Sequence, residues 1–269
     1  MIPHALALAT QTVFGCDATT TKRLHGGDLS DVFVVKLDSG EQIVAKLGPR
    51  IQVEARMLHA MVAASAPVPE VLGVSGDVLF LAHLPEAHAS DTGWHALGAG
   101  LRILHEAQGA DFGWPEDYAF GPVTIKNQSS ADWPAFWAER RLLPNSDRLQ
   151  GDLRKRLEIL CRHLPDLLPQ SPRKSLLHGD LWTGNALFTQ KGAYLIDPAC
   201  YYGDAEVDLA MLHLFGHPPP AFWDGYGPTL PAWSARLPLY QLWPALVHLV
   251  LFGDSYRPLV DTRLARLGF

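Results

Sequence analysis

The segment His178-Gly179-Asp180-Leu181-Trp182-Thr183-Gly184-Asn185 places an asparagine five residues after an aspartate, and a second aspartate, Asp197, ends the apolar run Ala193-Tyr194-Leu195-Ile196. That order matches what phosphoryl transfer on the protein-kinase plan requires. One Asp orients the attacking hydroxyl and accepts its proton, while an Asn and a later Asp hold a divalent metal against the phosphates. His178 and Asp180 match the His-Arg-Asp pattern with Gly179 in place of Arg. Taken singly, each residue also reads as a turn former, because Asp and Asn favour turns. The ordered spacing is what points to chemistry.

Such a site needs a second surface to grip the nucleotide. Ile43-Val44-Ala45-Lys46 resembles the Val-Ala-Ile-Lys strand whose lysine binds phosphates, and strand alternation would turn Lys46 toward the cleft. Glu54, eight residues on, is its ion-pair candidate. The alternatives are an exposed strand-end lysine and a solvated helix-face glutamate. Gly26-Gly27-Asp28 would form a loop over the phosphates, since glycines permit close backbone approach; an ordinary turn reads the same way.

The elements that must position these residues follow from periodicity. Residues 32–37 and 42–47 are β-branched and apolar around Asp38-Ser39-Gly40-Glu41, which predicts an antiparallel hairpin. An apolar stripe predicts a helix over 53–64, ended by Pro67 and Pro69. Residues 68–84 split around Ser75-Gly76-Asp77 into another hairpin. The polar stretch 85–92 makes a hinge. Helical spacing then covers 94–108, 133–143 and 152–164. A compact strand island spans 175–178, 185–188 and 193–197. Helices resume at 205–215 and 237–252, with a kink at Pro244. The expected fold is α+β: a β-rich lobe over residues 1–84 that grips ATP, and a helical lobe over 85–269 with the catalytic loop and acceptor site. No internal repeat or low-complexity tract interrupts it.

Composition narrows the function classes. In 269 residues, 48% are hydrophobic and 19% charged, the balance of a soluble globular protein, and the net charge of −6 offers no basic surface for nucleic acid. No apolar run reaches the roughly 20 residues that span a bilayer, and the N-terminus lacks the basic region of a signal peptide. Cys16, Cys161 and Cys200 are too few and too scattered for a disulfide framework or a zinc motif, which suits a reducing cytoplasm. The twelve histidines are scattered, without a metalloprotease-type pair.

Asp180, Asn185, Trp182 and their neighbours resemble the fructosamine kinase family, also called ketosamine kinases, within the aminoglycoside-phosphotransferase-like group. The family motif His-Gly-Asp-Leu-Trp-Ser-Gly-Asn stands here as residues 178–185, with Thr183 for Ser. Ile196-Asp197-Pro198-Ala199-Cys200-Tyr201-Tyr202-Gly203 is similar to Ile-Asp-Pro-Ala-x-Tyr-Tyr-Gly. Phe112-Gly113-Trp114, Asp132-Trp133-Pro134 and Glu206-Val207-Asp208-Leu209 extend the likeness over nearly the whole chain. The resemblance implies a two-lobed protein-kinase-like fold, ATP and Mg2+. It also implies phosphorylation of the 3-hydroxyl of a ketosamine, free or protein-bound, which releases the amine. Three segments depart from the pattern. Asp204-Ala205 replace a His-Arg pair, Ala82-His83-Leu84 stands at the hinge, and Tyr118-Ala119-Phe120-Gly121 replaces Asn-Tyr-Ile-Gly. These fall where acceptor or adenine contacts would lie.

The roles expected are then these. Asp180 is the catalytic base, and Asn185 and Asp197 are metal ligands. Gly26, Gly27, Asp28, Lys46, Glu54, His83 and Leu84 contact ATP. Trp182, Tyr201 and Tyr202 contact substrate, core packing being the alternative for Trp182 and the expectation for one of the two tyrosines. His178 braces the loop rather than moving a proton. Asp208 accepts backbone N–H groups of that loop, or caps the helix it begins. Pro198 stiffens the backbone after Asp197. A monomer or weak dimer is expected, with no nucleic-acid or membrane partner. Rival functions are a kinase of an aminoglycoside or another hydroxylated metabolite, and a nucleotide-binding module without catalysis. A protein kinase is disfavoured because no Ala-Pro-Glu motif follows Asp197.

Overall fold

The computed structural model describes residues 2–24, 30–149, 151–229 and 231–269. Gly26, Gly27 and Asp28, the expected phosphate loop, lie outside the described residues. The N-terminal lobe is built on an antiparallel sheet of order β1-β2-β3-β5-β4, from Ala18–Arg23, Asp31–Leu37, Gln42–Leu47, Val71–Ser75 (β4) and Val78–Ala82 (β5). Both expected hairpins are present.

The two faces of β3 carry different partners. Ile43 and Ala45 point into a buried cluster with Leu6, Val35 and Phe80, covered by helix α1 (His4–Phe14). Val44 faces the other way, against Ile51, Ala55 and Leu58 of helix α2 (Ile51–Ala63). Lys46 shares the parity of Val44, so the strand's period of two delivers it to the α2 side. Helix α1 and strand β1 precede the first expected strand. The His-Ala-Leu-Ala-Leu-Ala run of α1 does not alternate or repeat cleanly, so its helix is set by docking Leu6 and Ala9 on the sheet.

Helix α2 belongs to both lobes. Met57 and Met61 are fully buried in a second cluster with Leu97, Leu101 and Leu104 of helix α3 (Asp91–Glu106) and with Leu176, Leu181 and Leu195. A backbone tie is also interlobar, with Leu195 N–H donating to Pro67 O at 2.8 Å, and just past the hinge Ala87 N–H donates to Phe188 O at 2.8 Å within the helical lobe. Helix α3 starts at Ser90, whose Oγ accepts from Gly93 N–H at 3.1 Å as an N-cap.

The strand island divides in two, which corrects the expectation of one compact unit. Strand β8 (Ser175–Leu177) pairs with β11 (Tyr201–Gly203), whereas β9 (Ala186–Thr189) and β10 (Gly192–Leu195) form their own hairpin. A third short hairpin, β6 (Tyr118–Phe120) with β7 (Val123–Ile125), was not expected from the sequence. Its strands are three residues each, too short for periodicity to register.

The main core lies among helix α4 (Trp133–Phe136) with its wider-pitched continuation Trp137–Leu142, helix α5 (Gly151–Leu167), helix α8 (Trp233–Phe252) and helix α9 (Arg257–Arg266). Trp133, Trp137, Leu157, Leu160, Tyr240 and Leu242 are buried there. Helices α6 (Glu206–Leu212) and α7 (Pro220–Tyr226) complete the lobe, α7 against α3. Helix α8 runs through Pro238 as well as Pro244. Helices α7 and α9 were not expected. Both begin beside prolines, at Pro219-Pro220 and Pro258, which serve as first-turn residues here rather than as breaks.

Candidate active site

The catalytic loop starts where β8 ends. Gly179 adopts φ +81°, and a Cβ there would lie 2.1 Å from the carbonyl oxygen of Ala199. Only glycine can make this turn. Asp208, fully buried on α6, then fastens the loop: its Oδ2 accepts from His178 N–H at 2.7 Å and its Oδ1 from Gly179 N–H at 2.9 Å. This settles the choice left open by the sequence, for Asp208 sits inside the helix and its oxygens serve the loop. His105 on α3 adds a bond from Nε2 to Asp208 Oδ2 at 3.0 Å, and Tyr226 Oη lies 2.9 Å from His105 Nδ1. Burial opposes the Asp208 charge, but the His105 contact and the backbone N–H groups hold its carboxyl below the usual carboxylate range.

His178 is wholly buried. Its Nε2 donates to Ile196 O at 2.8 Å, which leaves Nδ1 to accept from Asp180 N–H at 3.3 Å. Burial pushes its pKa down despite Asp208, so the ring is neutral with both nitrogens engaged. It joins the catalytic loop to the segment before Asp197.

Asp180 is half-buried. Asn185 Nδ2 donates to its backbone carbonyl at 2.7 Å and to its Oδ2 at 3.0 Å. Burial, aided by the negative charges of Asp197 and Asp208 and opposed by Asn185 and Lys46, pushes its carboxyl up to about 8. With Nδ2 committed to Asp180, the Asn185 amide keeps Oδ1 as an acceptor for a cation. Asp197 lies two residues beyond β10 in the left-handed region, φ 56°, a conformation Asp tolerates better than most residues. The carboxylate therefore comes from a turn rather than a strand end.

Lys46 Nζ bridges the lobes, 2.7 Å from Glu54 Oε1 and 2.8 Å from Asp197 Oδ1. Lys46 is 6% exposed and Glu54 1%, which rules out a surface lysine and a solvated helix-face glutamate. Burial works against the ammonium, yet the two carboxylates outweigh it and raise its pKa above the ordinary lysine range. His83 and Leu84 are half-buried at the exit of β5, where Ala82 pairs with Ile43.

Trp182 is exposed, with its ring over Gly184, where a Cβ would meet Cη2 at 2.2 Å. The core-packing alternative is therefore set aside for Trp182. Tyr201 is a correction in the opposite sense. It is buried under the Arg141 guanidinium, 3.9 Å from its ring centre, and stacked on Phe136, so its side chain is closed to a substrate. Tyr202 is half-buried over Gly109 and beside Trp114. Asp204, expected near acceptor contacts, is instead a buried brace: it accepts from Tyr240 Oη at 2.6 Å and from Glu206 N–H at 3.1 Å. Glu206 in turn takes both arms of Arg236, at 2.7 and 2.6 Å.

Sequence reasoning missed His105 and Tyr226. His105 stands in the last turn of a helix and Tyr226 at the end of another, and neither has a local pattern that names Asp208 as a partner. Tyr118, in one of the segments that depart from the family pattern, lies within electrostatic reach of the site. Burial, then Glu54, Asp197 and Asp180 against Lys46, raise its hydroxyl above the usual tyrosine range.

A β-rich lobe whose lysine meets a strand-following Asp, above a helical lobe carrying an Asp–Asn loop, defines a protein-kinase-like phosphotransferase. A choline/ethanolamine kinase family protein from Mesorhizobium loti shares the fold at TM-score 0.62 and 18% identity, over 92% of this chain and 86% of that one. The chain belongs to the fructosamine kinase family, whose pattern it matches over residues 3–267. A "Probable ketoamine kinase" from Thermus thermophilus is 37% identical over 248 residues, 87% of this chain and 88% of that protein. The crystal structure of a protein named "putative fructosamine-3-kinase", from Thermobifida fusca, superposes with TM-score 0.91 at 30% identity over 100% of both chains. No helix among the described residues is long and apolar enough to cross a membrane.

Proposed function

We propose that this chain is an ATP-dependent kinase that phosphorylates the 3-hydroxyl of ketosamines, so that the modified adduct breaks down and frees its amine. One observation carries the proposal: Lys46 holds Glu54 and Asp197, Asn185 holds Asp180, the backbone bond from Ile196 N–H to Asn185 O at 3.1 Å joins the two sets, and Trp182 stands exposed on the same loop as Asp180. ATP would lie along β3 and β5, with its base by His83 and Leu84 and its phosphates by Lys46. Ala82 faces Ile43, three residues from Lys46, a span of roughly 10 Å at about 3.4 Å per residue. The lobe division then falls between residues 84 and 85.

The donor set suits Mg2+. Asn185 and Asp197 offer hard oxygens, and the described residues hold no cluster of three His, Cys, Asp or Glu that would cage an ion alone. An ion bound by two side chains and completed by phosphate and water is the habit of magnesium. When bound, it would offset the charge of the phosphates.

Asp180 orients the sugar hydroxyl and takes its proton as the oxygen bonds to the γ-phosphorus. The bond from phosphorus to the bridging oxygen breaks, and ADP leaves. A carboxyl pushed up to about 8 is a better proton acceptor than an ordinary aspartate. Asn185 fixes its rotamer. Lys46, held by Glu54, faces the phosphates. Trp182 offers an apolar face to the sugar or its amine substituent.

The test is ATP consumption with fructosyl-, ribulosyl- and erythrulosyl-lysine, with aminoglycosides as comparison acceptors. Phosphate transfer to a glycated amine, located at O3 by phosphorus NMR, is expected. Turnover of none of the three glycated lysines would sink the ketosamine assignment.

A further inference from the structure

Arg56 leaves α2 two residues beyond Glu54 and crosses to the other lobe. Its Nε donates to Glu116 Oε1 at 2.6 Å and its Nη2 to Oε2, a two-armed fit of guanidinium to carboxylate. This geometry fixes direction as well as distance.

Glu116 sits on a rigid base. Its backbone carbonyl accepts from Asn127 Nδ2 at 3.0 Å, and the neighbouring Asp117 Oδ1 accepts from Asn127 N–H at 2.7 Å. Asn127 Oδ1 accepts from Arg141 Nη2 at 2.9 Å, and both Asn127 and Arg141 are fully buried. The segment is thus anchored in the main core of the helical lobe.

Helix α2 is less firmly held at the end that matters. Its N-cap, Arg50, makes no side-chain cap, and the first turn carries Glu54. Met57, one residue past Arg56, is pinned from the far side, where its Sδ accepts from Cys200 N–H at 3.3 Å. Arg56 and Met57 therefore fasten the turn next to Glu54 to two different parts of the helical lobe. The Glu116 segment also leads directly into Tyr118, whose hydroxyl senses the charges of Glu54, Asp197 and Asp180.

We propose that the Arg56–Glu116 pair is an interlobe latch, in which Arg56 and Glu116 are positioning residues that hold Glu54, and through it the Lys46 ammonium, in place for the nucleotide. The latch rests on the reading of Lys46 as the phosphate-binding lysine. It acts through Glu54 and touches neither nucleotide nor acceptor. Both partners are partly exposed, with side chains 49% and 37% accessible. Exposed pairs add little to global stability, so the latch can be opened without unfolding the chain.

The experiment measures Mg2+–ADP affinity by calorimetry on the full chain, together with thermal melting. The variants are Arg56→Ala, Glu116→Ala, the Ala–Ala double and the charge swap Arg56→Glu with Glu116→Arg. Nucleotide binding does not depend on the identity of the acceptor, so a wrong acceptor class leaves the result intact. Each single variant is expected to bind about 3- to 10-fold more weakly while melting within about 3 °C of the wild type. The double should be no worse than either single, and the swap should recover most of the loss. In the wild type alone, raising NaCl from 0.05 to 0.5 M should weaken binding more than it does in the Ala–Ala double. Wild-type affinity in both single variants would overturn the latch, as would a charge swap no better than the singles. Lys46→Ala binding nucleotide like the wild type would overturn the site reading itself, and the latch with it.

Discussion

At the scale of residues, the proposed function assigns the reaction to one carboxyl and recognition to one indole. In the proposed reaction Asp180 takes the proton, and its surroundings suit that role: burial raises it, while Asn185 bonds its Oδ2 and carbonyl together. Asp180→Asn keeps size and polarity but cannot accept the proton. Its kcat is expected to fall by about 10²- to 10⁴-fold, with Mg2+–ADP affinity within about twofold of wild type. Steady-state kinetics beside calorimetry checks both, and a variant with normal kcat would remove Asp180 from the reaction. Trp182 is expected to behave oppositely. It is exposed beside the loop and supports little of the core, so Trp182→Ala should raise the acceptor KM roughly 10-fold, the order of a lost aromatic contact, while the KM for ATP stays put. A matched rise in both KM values would mean that Trp182 shapes the loop instead.

At the scale of elements, the site is a set of tethers onto one turn. Asp208 of α6 reaches the two N–H groups of His178 and Gly179, His105 of α3 orients Asp208, and His178 passes the restraint to Ile196. Gly179→Ala places a methyl 2.1 Å from Ala199 O at a positive φ, so the turn must move. Turnover is expected to drop below about 1% of wild type, with melting lowered by several degrees, as strain at a special φ/ψ position predicts. A variant melting and turning over like wild type would show that the turn is not under this constraint. The sequence made this turn legible as a candidate site because Asp180, Asn185 and Asp197 lie within eighteen residues along the chain. Lys46 and Glu54 were legible through strand and helix periodicity. What stayed hidden comes from far along the chain. His105 meets Asp208 across 103 residues and Arg56 meets Glu116 across 60, and local pattern holds no record of such pairings. Tyr201 was assigned to substrate because adjacent tyrosines of one motif look alike in sequence. The strand's alternation sends Tyr201 inward to Arg141 and leaves Tyr202 half-open.

At the scale of the whole molecule, the helical lobe stores charge in its interior, and that charge should be visible in its stability. Asp204 is 3% exposed, wedged beside Tyr240 and close to the Glu206–Arg236 pair. Burial, with the negative charge of Glu206, pushes its carboxyl up to about 6, against the opposing hydrogen bonds from Tyr240 and the Glu206 N–H. A free aspartate titrates near 3.9. Between roughly pH 4 and 6 the folded chain therefore holds a proton that the unfolded chain has lost, so stability attributable to Asp204 falls as pH rises through that window. Above pH 6 the penalty is complete. Asp204→Asn keeps the shape without the charge, so it lacks this pH dependence. Urea denaturation of both proteins at pH 5.0 and 7.5 should show the wild type gaining on the variant by on the order of 1–2 kcal/mol at the lower pH, roughly half of what a shift from near 3.9 to about 6 allows at 1.36 kcal/mol per pKa unit. The rest of the acid response is common to the two proteins and cancels in the difference. That includes Asp208, whose depressed pKa makes its contribution fade only as pH falls below about 4. A wild-type-minus-variant difference that is flat between the two pH values would mean Asp204 titrates alike folded and unfolded. The brace under α6 would then be an ordinary hydrogen-bonded carboxylate rather than a charge held against its environment.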